Sequence, residues 1–185
     1  TALSAFGCAT SLGYWLTALA IATVIFAALG VLTASRLRVL AAWLVLLSAG
    51  TLLLTPAQAS AQVAAAAFFY LVHSTLAGAA FFLLAGVIAE RRGDAADHFR
   101  SGSPLPIWLQ VAFLILAATT AGLPPFSGFV GKLMLLTTLR AVPAGTAIWS
   151  VLLASGFIVM IALARDGCLM IWKPATLAAP PPTGA

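Results

Sequence analysis

Charge is what this sequence has least of. Of its 185 residues only 7% are charged, and just four are acids: Glu90, Asp94, Asp97 and Asp166. A soluble domain carries about 25% charged residues, so this chain has too few to cover a water-facing surface. All four acids fall at predicted span ends or in loops, which leaves no carboxylate inside a predicted span. A sodium site usually wants hard oxygen ligands, so the chain alone is not read as a complete cation carrier. Cysteine is scarce as well. Cys8 and Cys168 lie near opposite ends, with no CxxC and no Cys/His cluster, which argues against a zinc site or a disulfide framework. Both are expected to be buried free thiols. No nucleophile–base pair, metal cluster or phosphate loop is visible, so neither an enzyme nor a bound cofactor is expected.

Hydrophobic residues are abundant, at 63%, and mean hydropathy is +1.12. Lipid is therefore the expected solvent for most of the chain. The net charge of +5 reads as loop charge, because the basic residues neither cluster nor interleave with aromatics as a nucleic-acid surface would. Spans of about 20 apolar residues cross a bilayer as helices. They are predicted over 14–34, 39–54, 63–89 and 146–164, with a solvated loop over 90–106. The apolar run 107–142 is too long for one straight crossing. Its 36 residues would reach about 54 Å as a helix, against a hydrocarbon core of about 30 Å. It is read as two shorter crossings, 107–122 and 126–141, with a turn or break at Pro124-Pro125. The fold class is thus an all-α transmembrane bundle of about six spans, or five if 107–142 is one interrupted crossing. Trp15, Trp43, Trp108, Trp149 and Trp172 lie near span ends, where amphipathic rings favour the headgroup region. The side holding Arg36, Arg38, Arg91, Arg92 and Arg100 is the richer in basic residues and is expected to be cytoplasmic. Residues 1–173 form one transmembrane domain, and the proline-rich 174–185 is expected to be a disordered tail.

Three features interrupt the apolar pattern. Lys132 lies well inside an apolar run, where an ammonium costs about 2.5–3.5 kcal/mol on insertion scales. Such residues usually face a partner or a water path, and an amine stripped of water gives up its proton more readily. A proton relay needs that property. The alternative is a lysine whose stem lies in lipid while its head reaches the interface. Pro124 and Pro125 lack N–H groups and free upstream carbonyls, which membranes tolerate only against protein or a hydrated cavity. Gly122, Gly128 and Gly131 around them permit close approach and unusual backbone angles. The break is either an ion site of the kind transporters build from broken helices or an ordinary surface turn. His73 lies mid-span and titrates near neutrality, so it is either a second relay group or a satisfied interior histidine. Ser74, Thr75, Thr119, Thr120 and Ser127 either line a water path or bond back to their own helices.

The stretches "FYLVHSTLAGAAFFLLAG" and "AGLPPFSGFVGKLMLL" resemble the D subunit of the multisubunit Mrp-type monovalent cation/proton antiporters. That superfamily also includes the antiporter-like membrane subunits of respiratory NADH:quinone oxidoreductase. "RLRVLAAWLVLLSAGTLL" and "ALARDGCLMIWK" resemble further segments of the same family, in the same order along the chain. The resemblance implies that Lys132 is the proton-relay lysine of a broken helix, that His73 lies on a central hydrophilic axis, and that Arg38 is a basic residue near it. It also implies partner subunits in an inner-membrane complex, with protons and monovalent cations as the transported species. Two departures stand out. Gly78 stands where many relatives have a lysine, and Arg36 replaces a usual acid. The family's first repeat and a final helix have no counterpart here, so the chain is expected to be the second half of a longer subunit. The runner-up readings are a proton-pumping subunit of an oxidoreductase-like complex and a non-conducting structural module.

Overall fold

A computed structural model describes residues 2–55, 60–93, 99, 105–141 and 144–172. Among these residues it contains six α-helices: α1 (Ala2–Thr33), α2 (Leu37–Leu52), α3 (Ala61–Arg92), α4 (Ile107–Ala121), α5 (Ser127–Thr138) and α6 (Gly145–Trp172). A short 3₁₀ turn, Leu139–Ala141, follows α5. The proposed tail lies outside the described residues.

Local chemistry sets the ends of these helices. Arg36 is extended (φ −130°, ψ 146°) and its carbonyl accepts the first bond of α2, from Leu40 N at 2.9 Å. α2 closes through a tightened turn in which Thr55 N donates to Leu52 O, just before Pro56. Ser60 caps α3 by accepting a hydrogen bond from Val63 N at 3.2 Å, which satisfies one of the helix's orphan donors. Arg91 and Arg92 fill the last turn of α3, where cations favour the helix C-terminus.

The helices close into a ring. α1 packs on α2, α2 on α3, α3 on both α4 and α5, and α6 closes the circle between α4 and α1. The interior holds Val24, Val31, Leu40, Phe81, Phe113 and Leu163, with Phe81 and Phe113 edge to face at 6.3 Å. The outside carries Phe26, Phe68, Leu83, Ile107 and Phe157. Large apolar side chains outward and satisfied backbone within each helix are what a bilayer demands. α1, α3 and α6 are long and apolar enough to cross alone, while α2 and α4 are shorter apolar helices.

The register along α3 shows how residues 107–141 are arranged. The Arg91 guanidinium lies over the Trp108 ring at 5.3 Å, and Phe81 meets Phe113. Further along, His73 meets Ser127, Tyr70 faces Gly131, and Leu135 clusters with Tyr70 and Ala66. The α3 numbers fall steadily as the α4–α5 numbers rise. The two short helices therefore lie in tandem, antiparallel to α3, as one interrupted crossing, which corrects the expected pair of separate crossings because both halves pack along the same helix.

Three further expectations are corrected. The last helix does not stop at Ala164 but runs on to Trp172, and this carries Asp166 into it. Asp166 is fully buried, and with Glu90 in the last turn of α3 two carboxylates lie inside helices. Asp166 remains there because Arg165 Nη2 sits 2.7 Å from its Oδ1, while Arg165 Nη1 donates to Leu32 O at the end of α1. Cys168 is exposed on α6, not buried. Ser60 and Gln62, outside the predicted span 63–89, are the cap and first turn of α3.

Candidate functional site

The break between α4 and α5 is built by a handful of residues. Gly122 takes φ +84°, a left-handed angle that closes α4 at little steric cost. Ala118 O accepts from both Gly122 N (3.2 Å) and Leu123 N (3.1 Å). The carbonyls of Thr119, Thr120 and Ala121 are left beyond the helix ladder. Pro124 and Pro125 carry the chain around, and α5 begins at Ser127.

α5 then returns against the same carbonyls. Gly128 packs so tightly on the Thr119 carbonyl that a Cβ there would overlap it, and His73 Nε2 would lie 3.0 Å from that Cβ. One turn later Lys132 Nζ donates to Thr120 O and Ala121 O, both at 2.9 Å. The half-buried amine thus caps the C-terminus of α4, where freed carbonyls and the negative end of the helix dipole favour a cation. Among the described residues no acid lines the surrounding cavities. Backbone dipoles supply the compensation that a carboxylate would otherwise give.

His73 Nδ1 and Ser127 Oγ are hydrogen-bonded at 3.0 Å. Three spaces surround these groups. An open groove of about 730 Å³ is lined by Phe68, Thr119, Ser127 and His73. A chamber of about 30 Å³ is lined by Ser48, Tyr70, His73, Ser74, Thr120 and Lys132. A mainly apolar cleft of about 320 Å³, opening to the outside past Leu153 and Phe157, holds Thr51, Tyr70, Lys132 and Ser155 as its few polar side chains. His73 borders the groove and the chamber, and Lys132 borders the chamber and the cleft. The small chamber has room for about one or two waters. The Thr120 hydroxyl oxygen, buried without a partner among the described residues, offers such a water an anchor.

The structure therefore gathers Lys132, His73, Ser74, Thr119, Thr120, Ser127 and the three glycines at one junction. Thr75 is exposed and lines none of these spaces. Arg38 lies at the start of α2 and lines none of them either. Tyr70, Thr51 and Ser155 line the spaces, and sequence reasoning does not single them out. A hydroxyl in an apolar run gives no local sign of facing a cavity. Tyr70 alone offers a hint, lying one helical turn before His73 on the same face.

A bundle with its large apolar side chains outward, wrapped around an interrupted helix capped by an amine, defines a multi-pass membrane protein built around a broken helix. Residues 3–162 match the family described as NADH:quinone oxidoreductase/Mrp antiporter, TM, and the chain belongs to that family. It is 33% identical over 188 residues to a probable K(+)/H(+) antiporter D subunit of Rhizobium meliloti (strain 1021), covering 85% of this chain and 35% of that protein. It is 35% identical over 122 residues to the Na(+)/H(+) antiporter D subunit of Bacillus subtilis (strain 168), covering 64% of this chain and 24% of that one. The fold superposes on a chain of the Mrp complex from Dietzia sp. DQ12-45-1b with a TM-score of 0.74 and 28% identity, covering 86% of this chain and 30% of the other. The chain thus spans about a third or less of the proteins it matches. It is a membrane-embedded antiporter-type module.

Proposed function

We propose that this chain is the proton-conducting half of a monovalent cation/proton antiporter subunit, working with other subunits in the cell inner membrane. Protons pass from the His73–Ser127 pair through the water-sized chamber to Lys132, and from Lys132 into the outer cleft. The observation that carries this reading is the position of the amine. Lys132 Nζ is held on two carbonyls of a broken helix and borders a chamber on one side and a cleft on the other. An amine so placed takes a proton from one space and releases it to the other. The names of the relatives favour cation exchange over the oxidoreductase-linked alternative within the same family, and they name both K⁺ and Na⁺.

Lys132→Arg in the complete assembly, reconstituted in proteoliposomes, tests the reading. A guanidinium keeps the charge and can still donate to both carbonyls, but it does not release its proton. Intrinsic proton affinities differ by about three pH units between arginine and lysine. The neutral form therefore becomes about a thousandfold rarer, and transport should fall by two or more orders of magnitude with assembly intact. Cation/proton exchange at the wild-type rate in Lys132→Arg would mean that the amine is only a helix cap.

A further inference from the structure

Tyr70 occupies a position that the proton route as described does not use. It is buried, with 4% of its surface exposed, and lines both the small chamber and the outer cleft. The residues common to the two walls are Leu47, Tyr70 and Lys132. The Tyr70 ring lies against α5 one residue before Lys132. A Cβ on Gly131 would come within 3.2 Å of Tyr70 Cδ2. The hydroxyl end faces Thr51 on α2, whose own hydroxyl donates to Leu47 O at 2.9 Å. The ring is thus held between α5, by close packing, and α2.

We propose that Tyr70, packed between α2 and α5, is the partition between the small chamber and the outer cleft, and that it makes the Lys132 amine their single proton-exchanging link. The inference rests on the proton-relay reading of Lys132 and adds its coupling element. An exchanger must not let a continuous file of water join its two sides, because protons hop along water without waiting for the cation. The wall needs a large group that fills space and does not titrate near neutrality. A phenol has an unperturbed pKa of about 10, and this one turns its polar end to Thr51. Leu47 completes the wall with an apolar side chain. Nothing is oxidised or reduced and no bond to carbon changes. The one chemical event is a proton arriving at and leaving Lys132 Nζ, and Tyr70 confines it there.

The test is proton tightness, which general damage to transport does not mimic. The complete assembly carrying Tyr70→Ala is reconstituted in proteoliposomes with an imposed pH gradient and no exchangeable cation. Collapse of the gradient should be at least tenfold faster than wild type, with a trapped small dye retained. Tyr70→Phe keeps the ring but loses its contact with Thr51, so it should leak no more than Thr51→Val. Thr51→Val removes the facing hydroxyl and should leak to an intermediate degree, and Thr51→Ser should restore the seal. If Tyr70→Ala fails to assemble, Tyr70→Leu and the Thr51 pair carry the test. The leak should persist in Lys132→Met/Tyr70→Ala, because water then bypasses the amine. Vesicles of assembled Tyr70→Ala or Tyr70→Leu as tight as wild type, with Lys132→Met inactive, would overturn the partition and leave the relay standing. Lys132→Met exchanging cations normally would overturn both.

Discussion

Gly128 is where the geometry of the break is most exposed to a single methyl group. The change Gly128→Ala places a Cβ inside the contact distance of the Thr119 carbonyl and 3.0 Å from His73 Nε2. The obstacle on one side is backbone, which cannot rotate away, so α5 must shift from α4 by on the order of 1 Å. Lys132, four residues along the same helix, moves with it. Its two 2.9 Å bonds to Thr120 O and Ala121 O then stretch beyond useful length. A hydrogen bond to a charged group is worth about 1.5–3 kcal/mol. Alanine's helix preference over glycine returns only about 1 kcal/mol. The loss wins even if one of the two bonds survives. Transport by Gly128→Ala should fall at least tenfold in proteoliposomes, and its melting temperature should drop. Gly86→Ala is the control, because nothing lies within 4 Å of a Cβ there. It should gain a fraction of the same 1 kcal/mol and transport normally. Normal transport by Gly128→Ala would refute the claim that tight α4–α5 contact positions the amine.

The other predictions concern the buried pair on α6. Arg165→Ala strands a fully buried carboxylate and removes the tie to Leu32 O. Loss of one partner of a buried pair costs about 3–5 kcal/mol, and the low end applies because the Arg165 side chain is 42% exposed. Thermal unfolding of the assembly should register this as a clear destabilisation. Asp166→Asn removes the charge but keeps an acceptor near Arg165, so it should cost distinctly less in the same melt. Equal losses would mean that the pair is not what holds α6 to α1.

Much of the site is legible in the sequence because its signals are local. A proline pair and three glycines mark a break wherever they occur, and a lysine in an apolar run marks an expensive charge. His73 and Ser127 can both be named, though 54 residues separate them and only the fold joins them. Partners are harder to read. Lys132 is held by backbone carbonyls, which every residue has, so nothing in the side-chain pattern points to them. The tandem arrangement of α4 and α5 follows from pairing along α3, a long-range property, and the chain length alone fits either one crossing or two. Hydropathy stops a span at the first charges, which is why the predicted span ends at Ala164. The helix itself continues because Arg165 and Asp166 neutralise each other and Arg165 reaches α1. Thr51 escapes sequence reasoning because hydroxyls in an apolar helix usually bond back to their own turn, as Thr51 does, and Tyr70 escapes it because an aromatic ring in an apolar helix reads as packing.

The central claim is that the Lys132 amine is wet and exchanges protons inside the bundle. The sequence has two lysines, Lys132 and Lys173, so ¹⁵Nζ-lysine labelling of the membrane-reconstituted Lys173→Arg assembly isolates the Lys132 signal within this chain, provided that partner subunits are unlabelled. Water-edited solid-state NMR then asks whether that nitrogen receives magnetisation from water or from lipid. The account predicts rapid build-up from water and proton exchange at Nζ, with no contact to acyl chains. A Lys132 signal that builds up from acyl protons alone and shows no exchange with water would contradict it.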